Sequence, residues 1–261
     1  MSGIGKYSGY LICTDIDGTL VDSKGEISPK NLAAIEDFQA NGGLFTVSTG
    51  RLPDYVRKFA FRPNAPVIAV NGTLIADPVT GRRLREFPLA CGYGDVLAYI
   101  ESRYGPSLVN AESFLAGDTV ICEEPSAAQM NVELSQLPAY KILFRINSAD
   151  TAAAMAADLN RRFAGRYVFD RSWQYGVEMH TDGSGKGPCA LLLKEKYCAG
   201  VRTLIAVGDY ENDISMLRAA DIGYATGNAP AHVKSAADAL APSNDKDAIS
   251  FVIGQIESSI S

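Results

Sequence analysis

The sequence predicts an α/β protein: a Rossmann-like parallel sheet core with helices on both faces, plus an inserted α+β domain. Strand-like and helix-like segments alternate from residue 10 to 72, which is typical of a parallel sheet wound with helices. The alternation stops between about 84 and 180 and resumes after residue 187. We therefore predict a core formed by residues 1–82 and 182–261, interrupted by an inserted domain at 83–181.

The first strand and the first helix have clear local signals. Residues 10–13 form a short apolar run that predicts a strand. Ser28 is a suitable N-cap, Pro29 suits the first helical position, and Gly42 marks the end of the helix. The chain therefore enters the sheet first and then returns through a helix.

The following segments continue this pattern. Residues 43–47 predict a second strand, 52–61 begin a second helix, and 66–72 predict a third strand. Turn residues at 76–83, placed between two short apolar segments, predict a small hairpin.

The inserted domain and the second part of the core differ in the order of their elements. The inserted domain is predicted to hold helices at 95–104 and 149–163 and strands at 141–146 and 166–170. The core then resumes with a helix from Pro188, a strand ending at Asp209, a helix at 212–220, a strand at 221–226, a helix at 229–238 and a final helix at 245–259.

Composition excludes some classes of partner. The net charge of −6 and the pI near 5.0 argue against nucleic-acid binding, because phosphate backbones attract clustered Lys and Arg. No stretch approaches the ~18 apolar residues of a membrane span, and the N-terminus has no hydrophobic signal core. Five cysteines without a CxxC pair predict free thiols. The expected location is cytoplasmic, with neither nucleic acid nor membrane as a partner.

Polar residues follow the predicted core strands at their carboxyl ends. In open α/β sheets these ends form the edge where ligands bind, and Lys186 lies in a Gly-rich turn at the start of the next helix. The residues that follow the strands are Asp15, Asp17, Gly18 and Thr19; Ser48, Thr49, Gly50 and Arg51; Asn71 and Gly72; and Gly208, Asp209, Asn212 and Asp213.

Clustered carboxylates at such an edge repel one another, and a cation resolves the conflict. Mg²⁺ prefers carboxylate oxygens and keeps positions for waters or substrate phosphates. Hydroxyl, ammonium and backbone N–H groups are what the remaining oxygens of a phosphoryl group need. One carboxylate can act as a nucleophile, and a second can exchange a proton with the leaving oxygen and with water.

Four of these segments resemble the motifs of the haloacid dehalogenase superfamily of phosphohydrolases: DIDGTL (15–20), VSTG (47–50), GSGKG (183–187) and GDYEND (208–213). NGTLIAD (71–77) and GYATGNA (223–229) further resemble its Cof-type branch. That branch carries a large α/β cap, which selects the substrate, between the second and third motifs. The inserted domain of this chain lies at that place.

The resemblance implies a role for each matching residue. Asp15 is implied to be the nucleophile and a Mg²⁺ ligand, and Asp17 the general acid/base that ligates the metal through its backbone carbonyl. Asp209 is implied to be the second carboxylate on the metal, with Asp213 behind it. The implied phosphate-binding residues are Thr49, Gly50, Lys186 and Asn212.

Two interpretations remain open for several candidate site residues. Adjacent strand residues point to opposite faces, so either Ser48 or Thr49 faces the phosphate, and the family pattern favours Thr49. Arg51 either contacts the substrate or is a helix-surface charge paired with an acid. Asn71 and Gly72 are either substrate contacts or a turn, because Asn-Gly is a strong turn pair.

The inserted domain offers only weak candidates. Trp173, Tyr175 and Glu178 are predicted to be core or rim residues, with stacking on a sugar as the alternative. His180 and His232 lie in no strand-end motif and receive no chemical role.

These motifs predict a Mg²⁺-dependent phosphatase that hydrolyses small phosphomonoesters, with sugar phosphates the first choice, through an aspartyl-phosphate on Asp15. One alternative is a phosphotransferase or mutase that uses the same intermediate, which capture of the phosphoryl group by an added sugar alcohol would reveal. The other is a non-catalytic Mg²⁺ or phosphate-ligand sensor, which has no need of a proton donor at Asp17. The expected partner is a small phosphorylated metabolite, and the chain is expected to be a monomer or a small homo-oligomer.

Overall fold

A computed structural model describes residues 5–89, 92–116, 119–123 and 137–260. The chain divides into two compact units. The core unit comprises Met1–Arg85 and Lys186–Ser261, and the inserted unit comprises Glu86–Gly185.

The secondary structure alternates in the core unit and is strand-rich in the inserted unit. The strands are β1 Tyr10–Thr14, β2 Leu44–Val47, β3 Val67–Ala69, β4 Leu74–Ala76, β5 Arg83–Glu86, β6 Leu108–Leu115, β7 Thr119–Glu123, β8 Ala139–Ile146, β9 Tyr167–Asp170, β10 Gly176–Thr181, β11 Thr203–Gly208, β12 Ile222–Ala225 and β13 Ala239–Leu240. The helices are α1 Pro29–Ala40, α2 Pro53–Val56, α3 Gly94–Tyr104, α4 Ala149–Arg162, α5 Lys186–Leu192, α6 Ile214–Ala219, α7 Ala231–Lys234 and α8 Ala248–Ile260.

The core unit is built on a parallel sheet in the order β13–β12–β11–β1–β2. Leu11, Ile12, Cys13 and Thr14 of β1 are all fully buried, so both faces of the central strand are covered. Parallel sheets are covered in this way by helices, and here α1 packs against α8 while α5 packs against α6. The predicted fold class is confirmed.

The position of β1 creates the crevice where a ligand can bind. The chain leaves β1 to form β2 on one side, and β11 pairs with β1 on the other side. Such a point of reversed strand order opens a crevice beyond the carboxyl ends of the strands. The residues that follow β1, β2 and β11 therefore meet at one edge of the sheet.

The first helix begins as its sequence predicts. The Ser28 hydroxyl accepts a hydrogen bond from the Asn31 N–H at 3.1 Å, and Pro29 occupies the first turn. Asn31 is buried, and its Oδ1 accepts the Ser250 N–H at 2.9 Å, which ties α1 to α8.

The predicted third strand at 66–72 differs from the structure. Only Val67–Ala69 is extended, and it pairs antiparallel with β4 in a separate sheet of order β3–β4–β5. Its link to β2 is a single parallel bridge between Ser48 and Ile68. The reason is local: Val70, Asn71 and Gly72 have φ values of 50°, 56° and 84°, which reverse the chain into the hairpin.

Two predicted helices are shorter in the structure. The helix expected from 52–61 ends at Val56, because Phe61 turns inward and packs edge-on against Phe45 at 5.6 Å. The helix expected at 229–238 comprises only Ala231–Lys234.

The inserted unit is an antiparallel sheet in the order β7–β6–β8–β10–β9. Its own apolar core joins α3, α4 and one face of the sheet through residues such as Ile100, Phe144, Met155 and Met179. A Ser148 hydroxyl that accepts the Thr151 N–H begins α4. This unit has the predicted α+β character.

Two further observations bear on the sequence predictions. Cys13, Cys122, Cys189 and Cys198 are free thiols, whereas Cys91 lies outside the described residues. Within the described ranges, no helix has both the length and the apolar character needed to cross a bilayer.

Candidate active site

Asp15 lies at the centre of the crevice, directly after β1. Its N–H donates to the Val207 carbonyl at 2.9 Å, so β11 holds the backbone of Asp15 in place. Its side chain is buried at the carboxyl end of the central strand.

Lys186 begins α5 and joins two carboxylates from different parts of the chain. Its Nζ lies 2.6 Å from Asp15 Oδ1 and 2.6 Å from Asp213 Oδ1, and the side chain is 1% exposed. Burial alone would lower the pKa of Lys186, but the two carboxylates outweigh it and hold that pKa above its ordinary value. Lys186 is therefore a permanent cation between two acids.

Asp213 has both carboxylate oxygens engaged. Oδ1 accepts from Lys186, and Oδ2 accepts the N–H groups of Asp209 and Tyr210 at 3.0 and 3.1 Å. Gly208 permits this tight turn, because a Cβ there would lie 2.5 Å from the Asp213 Cβ. Asp213 thus positions Asp209.

Asp209 follows β11 and faces Asp15 across the crevice. Burial, and next the charge of Asp213, raise the pKa of Asp209 to about 7. The Thr19 hydroxyl donates to Asp209 Oδ1 at 2.9 Å and opposes this rise. Burial likewise raises the pKa of Asp15 well above its ordinary value, and the charges of Asp213 and Asp209 raise it further against the opposing effect of Lys186.

These acids fit a cation. Asp15, Asp209 and Asp213 each offer an oxygen, and the three oxygens lie within 4.8 Å of one another. Lys186 contacts Asp15 and Asp213 but not Asp209, so one ammonium group faces a cluster of three carboxylates. Carboxylate oxygens with this excess of negative charge suit a hard divalent ion such as Mg²⁺.

Asp17 lies apart from this cluster. Its carboxylate accepts two hydrogen bonds from Arg51, from Nε at 3.0 Å and from Nη2 at 3.2 Å. The Arg51 guanidinium also lies over the Tyr55 ring, 5.0 Å from its centroid. Both Asp17 and Arg51 are about half exposed, with side-chain values of 47% and 53%.

Two residues with hydroxyl groups, Ser48 and Thr49, follow β2. The Thr49 N–H donates to the Ile68 carbonyl at 2.9 Å, and its hydroxyl accepts the Arg51 N–H at 3.1 Å. Ser48 is also buried, and its hydroxyl has no hydrogen-bond partner among the described residues. Gly50 follows them at the start of the turn that leads to Arg51.

Asn71 and Asn212 meet although 141 positions separate them, with Asn212 Nδ2 3.4 Å from Asn71 Oδ1. The Asn71 N–H donates to the Thr49 carbonyl at 2.9 Å, and the Gly72 carbonyl accepts from the Cys189 thiol. Val70 has a φ of 50°, a strained value for a β-branched residue that is commonly found at functional sites. Asn71 is therefore both a turn residue and a neighbour of the site.

The candidate substrate residues of the inserted unit contact other residues of that unit. Glu178 is buried and lies 3.3 Å from Lys141 Nζ. Trp173 and Tyr175 pack edge-to-face with ring centroids 5.7 Å apart.

The two histidines have different surroundings. His180 is fully buried, with Nε2 3.0 Å from Asp170 and Nδ1 2.8 Å from the Ser184 hydroxyl. His232 is exposed, and its Nε2 lies 3.1 Å from Glu211. Neither histidine is part of the carboxylate cluster.

A profile of the haloacid dehalogenase-like hydrolases matches residues 12–91 and 123–253, which is most of the chain. The chain belongs to this family. The resemblance inferred from the motifs is confirmed, and the enzyme is a hydrolase of the phosphatase type.

Relatives of this hydrolase are named as phosphatases. Phosphatase YwpJ of Bacillus subtilis is 26% identical over 93% of this chain and 98% of its own length. The pyridoxal phosphate phosphatase YbhA of Escherichia coli is 24% identical over 93% of this chain and 97% of its own length. A solved haloacid dehalogenase-like hydrolase from B. subtilis has a TM-score of 0.77 at 25% identity, covering 94% of this chain and 98% of that one.

Two residues to which sequence reasoning gave no role form hydrogen bonds beside the carboxylates. Thr19 is buried and donates to Asp209, and Asn228 donates to the Gly18 carbonyl at 2.8 Å. Both belong to quoted motifs, DIDGTL and GYATGNA. Their contacts join segments roughly two hundred residues apart, so local patterning carries no signal for them.

The pKa of Asp209 predicts how the stability of the metal-free hydrolase depends on pH. An unfolded aspartate titrates near pH ~4, whereas the folded value is about 7. Between these values the folded chain keeps a proton that the unfolded chain has lost, so stability falls as pH rises, by up to about 1.4 kcal/mol per pH unit. Denaturant titrations in EDTA should show this fall, and Asp209→Asn should reduce its slope. Equal slopes for both proteins would contradict the prediction.

Proposed function

We propose that this hydrolase is a Mg²⁺-dependent phosphatase that hydrolyses small phosphomonoesters, with sugar phosphates the leading class, through an aspartyl-phosphate. The observation that carries the proposal is the cluster at the switch point of the sheet, in which Asp15, Asp213 and Lys186 are buried and Asp209 is partly buried. A cluster of this kind is costly to bury unless a ligand makes use of its charge.

The proposed metal ligands are the Asp15 and Asp209 carboxylates and the backbone carbonyl of Asp17. When bound, Mg²⁺ supplies positive charge that lets an anionic phosphate approach these acids. Asp213 is proposed to hold the ligands rather than bind the ion, since Lys186 and two backbone N–H groups already occupy its oxygens.

Asp15 is the proposed nucleophile. Lys186 contacts its Oδ1, which leaves Oδ2 to attack phosphorus in line with the leaving oxygen. The new bond joins Asp15 to phosphorus, the bond between phosphorus and the ester oxygen breaks, and Asp17 gives the leaving alkoxide its proton. Water then attacks the same phosphorus, loses a proton to Asp17, and releases phosphate with Asp15 restored.

Asp17 can carry this proton only if its contact with Arg51 changes. The Arg51 guanidinium donates to both carboxylate oxygens of Asp17. At least one of these hydrogen bonds must break before an Asp17 oxygen can reach the ester. Arg51 is therefore proposed to hold Asp17 until the substrate arrives, which is a further role beside that of a substrate contact.

Donors from the neighbouring segments are proposed to bind the phosphoryl oxygens. Thr49, Gly50, Lys186 and Asn212 supply a hydroxyl, a backbone N–H, an ammonium and an amide, which suit the oxygens of a phosphoryl group. The candidates for contacts with the rest of the substrate are Arg51, Asn71 and Gly72. The contact between Asn212 and Asn71 supports a shared role for these two amides.

The proposed substrate is a small phosphorylated metabolite of the cytoplasm. The name of the pyridoxal phosphate relative indicates a small alcohol phosphate, and the negative net charge disfavours nucleic acid. Residues of the inserted unit are proposed to select the alcohol part, as the family resemblance implies. The chain is proposed to act as a monomer or a small homo-oligomer.

The deciding experiment is a panel of phosphate esters, including sugar phosphates and pyridoxal phosphate, assayed with Mg²⁺ and with EDTA. Release of phosphate that requires Mg²⁺ supports the proposal. Undiminished turnover in EDTA contradicts the metal requirement. Transfer of the phosphoryl group to an added sugar alcohol indicates a phosphotransferase, and the absence of turnover by folded, Mg²⁺-loaded protein favours a ligand sensor.

A further inference from the structure

Asn228 joins two loops that lie beside the carboxylate cluster. Its Nδ2 donates to the Gly18 carbonyl at 2.8 Å, and its Oδ1 accepts the Asn244 N–H at 3.1 Å. We call this arrangement of Gly18, Asn228 and Asn244 the Asn228 clamp. Both ends of the side-chain amide are engaged although Asn228 is exposed, so its contacts position loops rather than satisfy a buried core.

The Gly18 end of the clamp lies directly against a proposed metal ligand. Gly18 has a φ of 84°, and a Cβ built on it would lie 2.5 Å from Asp209 Oδ2. The next residue, Thr19, donates its hydroxyl to the other oxygen of Asp209 at 2.9 Å. Asn228 therefore bonds the carbonyl of the peptide group that joins Gly18 to Thr19. These are the two residues that lie against Asp209.

The loop that carries Asn228 is itself tied to the strand before Asp209. The Thr226 N–H donates to the Gly208 carbonyl at 3.0 Å, and the Gly227 N–H donates to the Pro242 carbonyl at 3.1 Å. One short loop thus contacts the backbone on both sides of the crevice: Gly208 before Asp209, and Gly18 after Asp17.

The Asn244 end of the clamp is anchored independently. Asn244 Nδ2 donates to the Val21 carbonyl at 3.0 Å, and Asp245 Oδ1 accepts the Ser23 N–H at 2.7 Å. The turn after Asp17 is therefore held from two directions, and Asn228 is the contact nearest to the carboxylates.

We propose that Asn228 is a positioning residue that sets the distance between the Asp17–Gly18 backbone and the Asp209 carboxylate, and thereby the affinity for Mg²⁺. This inference rests on the proposed function, because it assumes that the Asp17 carbonyl and Asp209 share the ion. Partners that hold ligands in this way typically change metal affinity or activity by ~10–100-fold when they are removed.

The test compares Asn228→Ala and Asn228→Leu with the wild-type chain. The leucine variant keeps roughly the size of the side chain but can neither donate to the Gly18 carbonyl nor accept the Asn244 N–H, and it adds no charge. Asn160→Ala is the matched control, because Asn160 bonds both the carbonyl and the N–H of Phe169 in the inserted unit. Isothermal titration with Mg²⁺ alone, without substrate, measures the Kd of each protein.

Both Asn228 variants are expected to raise the Kd for Mg²⁺ at least ~10-fold, with little change of Tm in EDTA, because an exposed side chain contributes little to stability. The Mg²⁺ concentration for half-maximal ester hydrolysis should rise by the same factor, while KM for the ester at saturating Mg²⁺ stays near the wild-type value. Asn160→Ala removes a comparable pair of side-chain hydrogen bonds in the inserted unit and should leave the Kd unchanged.

The outcomes separate this proposal from the proposed function. If both variants bind Mg²⁺ as tightly as the wild type, the role of Asn228 is overturned and the phosphatase proposal stands. If Kd rises only in proportion to a loss of Tm, and Asn160→Ala behaves in the same way, Asn228 is merely structural and the proposal is overturned. If the wild type binds no Mg²⁺, the metal part of the proposed function fails, and the role of Asn228 fails with it.

Discussion

Replacing Asp15 by asparagine is expected to abolish phosphate-ester hydrolysis, with a loss of at least ~10⁴-fold in kcat. An amide cannot form the covalent bond to phosphorus, and it supplies no charge for a metal ion. Asparagine has nearly the shape of aspartate, so the buried position between β1 and Lys186 should remain filled. Steady-state assays with Mg²⁺ and the best ester of the panel measure the loss.

The fold of this variant should survive, which keeps the result interpretable. Burial and the neighbouring acids already raise the pKa of Asp15 well above its ordinary value, so an uncharged side chain is tolerated there. Tm in EDTA is expected to equal or exceed that of the wild type. Asp37→Asn, at a half-exposed carboxylate of α1 that pairs with Lys6, is the control and should keep full activity. Persistent turnover by a folded Asp15→Asn variant would falsify the nucleophile assignment.

Replacing Lys186 by methionine is expected to damage both stability and catalysis. Lys186 is the cation that Asp15 and Asp213 share at 2.6 Å each. Breaking a buried ion pair by removing one partner typically costs ~3–5 kcal/mol, because the other charge stays buried without compensation. Loss of the proposed contact between Lys186 and the phosphoryl group should also lower kcat by ~10²–10³-fold, by analogy with removal of an oxyanion donor. Denaturant titration in EDTA and ester assays with Mg²⁺ measure the two effects.

A second substitution separates these two effects. The double variant Lys186→Met/Asp213→Asn lacks one of the two carboxylates that lose their ammonium partner in Lys186→Met. Its stability should therefore recover in part, while its activity stays low. Stability of the single variant should also recover as pH falls, because the carboxylates left without the ammonium take up protons. If Lys186→Met is as stable as the wild type at neutral pH, the shared ammonium is not what offsets the buried acids.

Much of the fold follows from local pattern. Ser28 and Pro29 begin α1 in the sequence and in the structure, because capping involves only neighbouring residues. The alternation of strands and helices predicts the parallel sheet, since chain direction and handedness leave few other arrangements. The third strand was misjudged because three consecutive positive φ values at 70–72 turn the chain back, and an apolar run does not reveal them.

The sequence also predicts only part of the candidate site. Asp15, Asp209 and Lys186 could be expected to converge, because each lies at a strand end or a helix start of one sheet edge. The pairing of Arg51 with Asp17 could not be chosen over a substrate contact, because both interpretations suit an arginine at that position. The contacts of Thr19 and Asn228 span 190 and 210 positions, and only the folded chain brings such residues together.

The sequence by itself determined which chemical groups reach the crevice: the acids, the lysine, the hydroxyls and the order of the strands that carry them. Burial and strand periodicity act over a few residues, so they can be inferred from the chain alone. The tertiary structure decided how these groups share charge and hydrogen bonds. Asp213 accepts from Lys186 and from the backbone before it, and Asp17 is held by Arg51 outside the cluster. Such partnerships depend on distances of a few ångströms between segments far apart in the chain, and packing alone sets those distances.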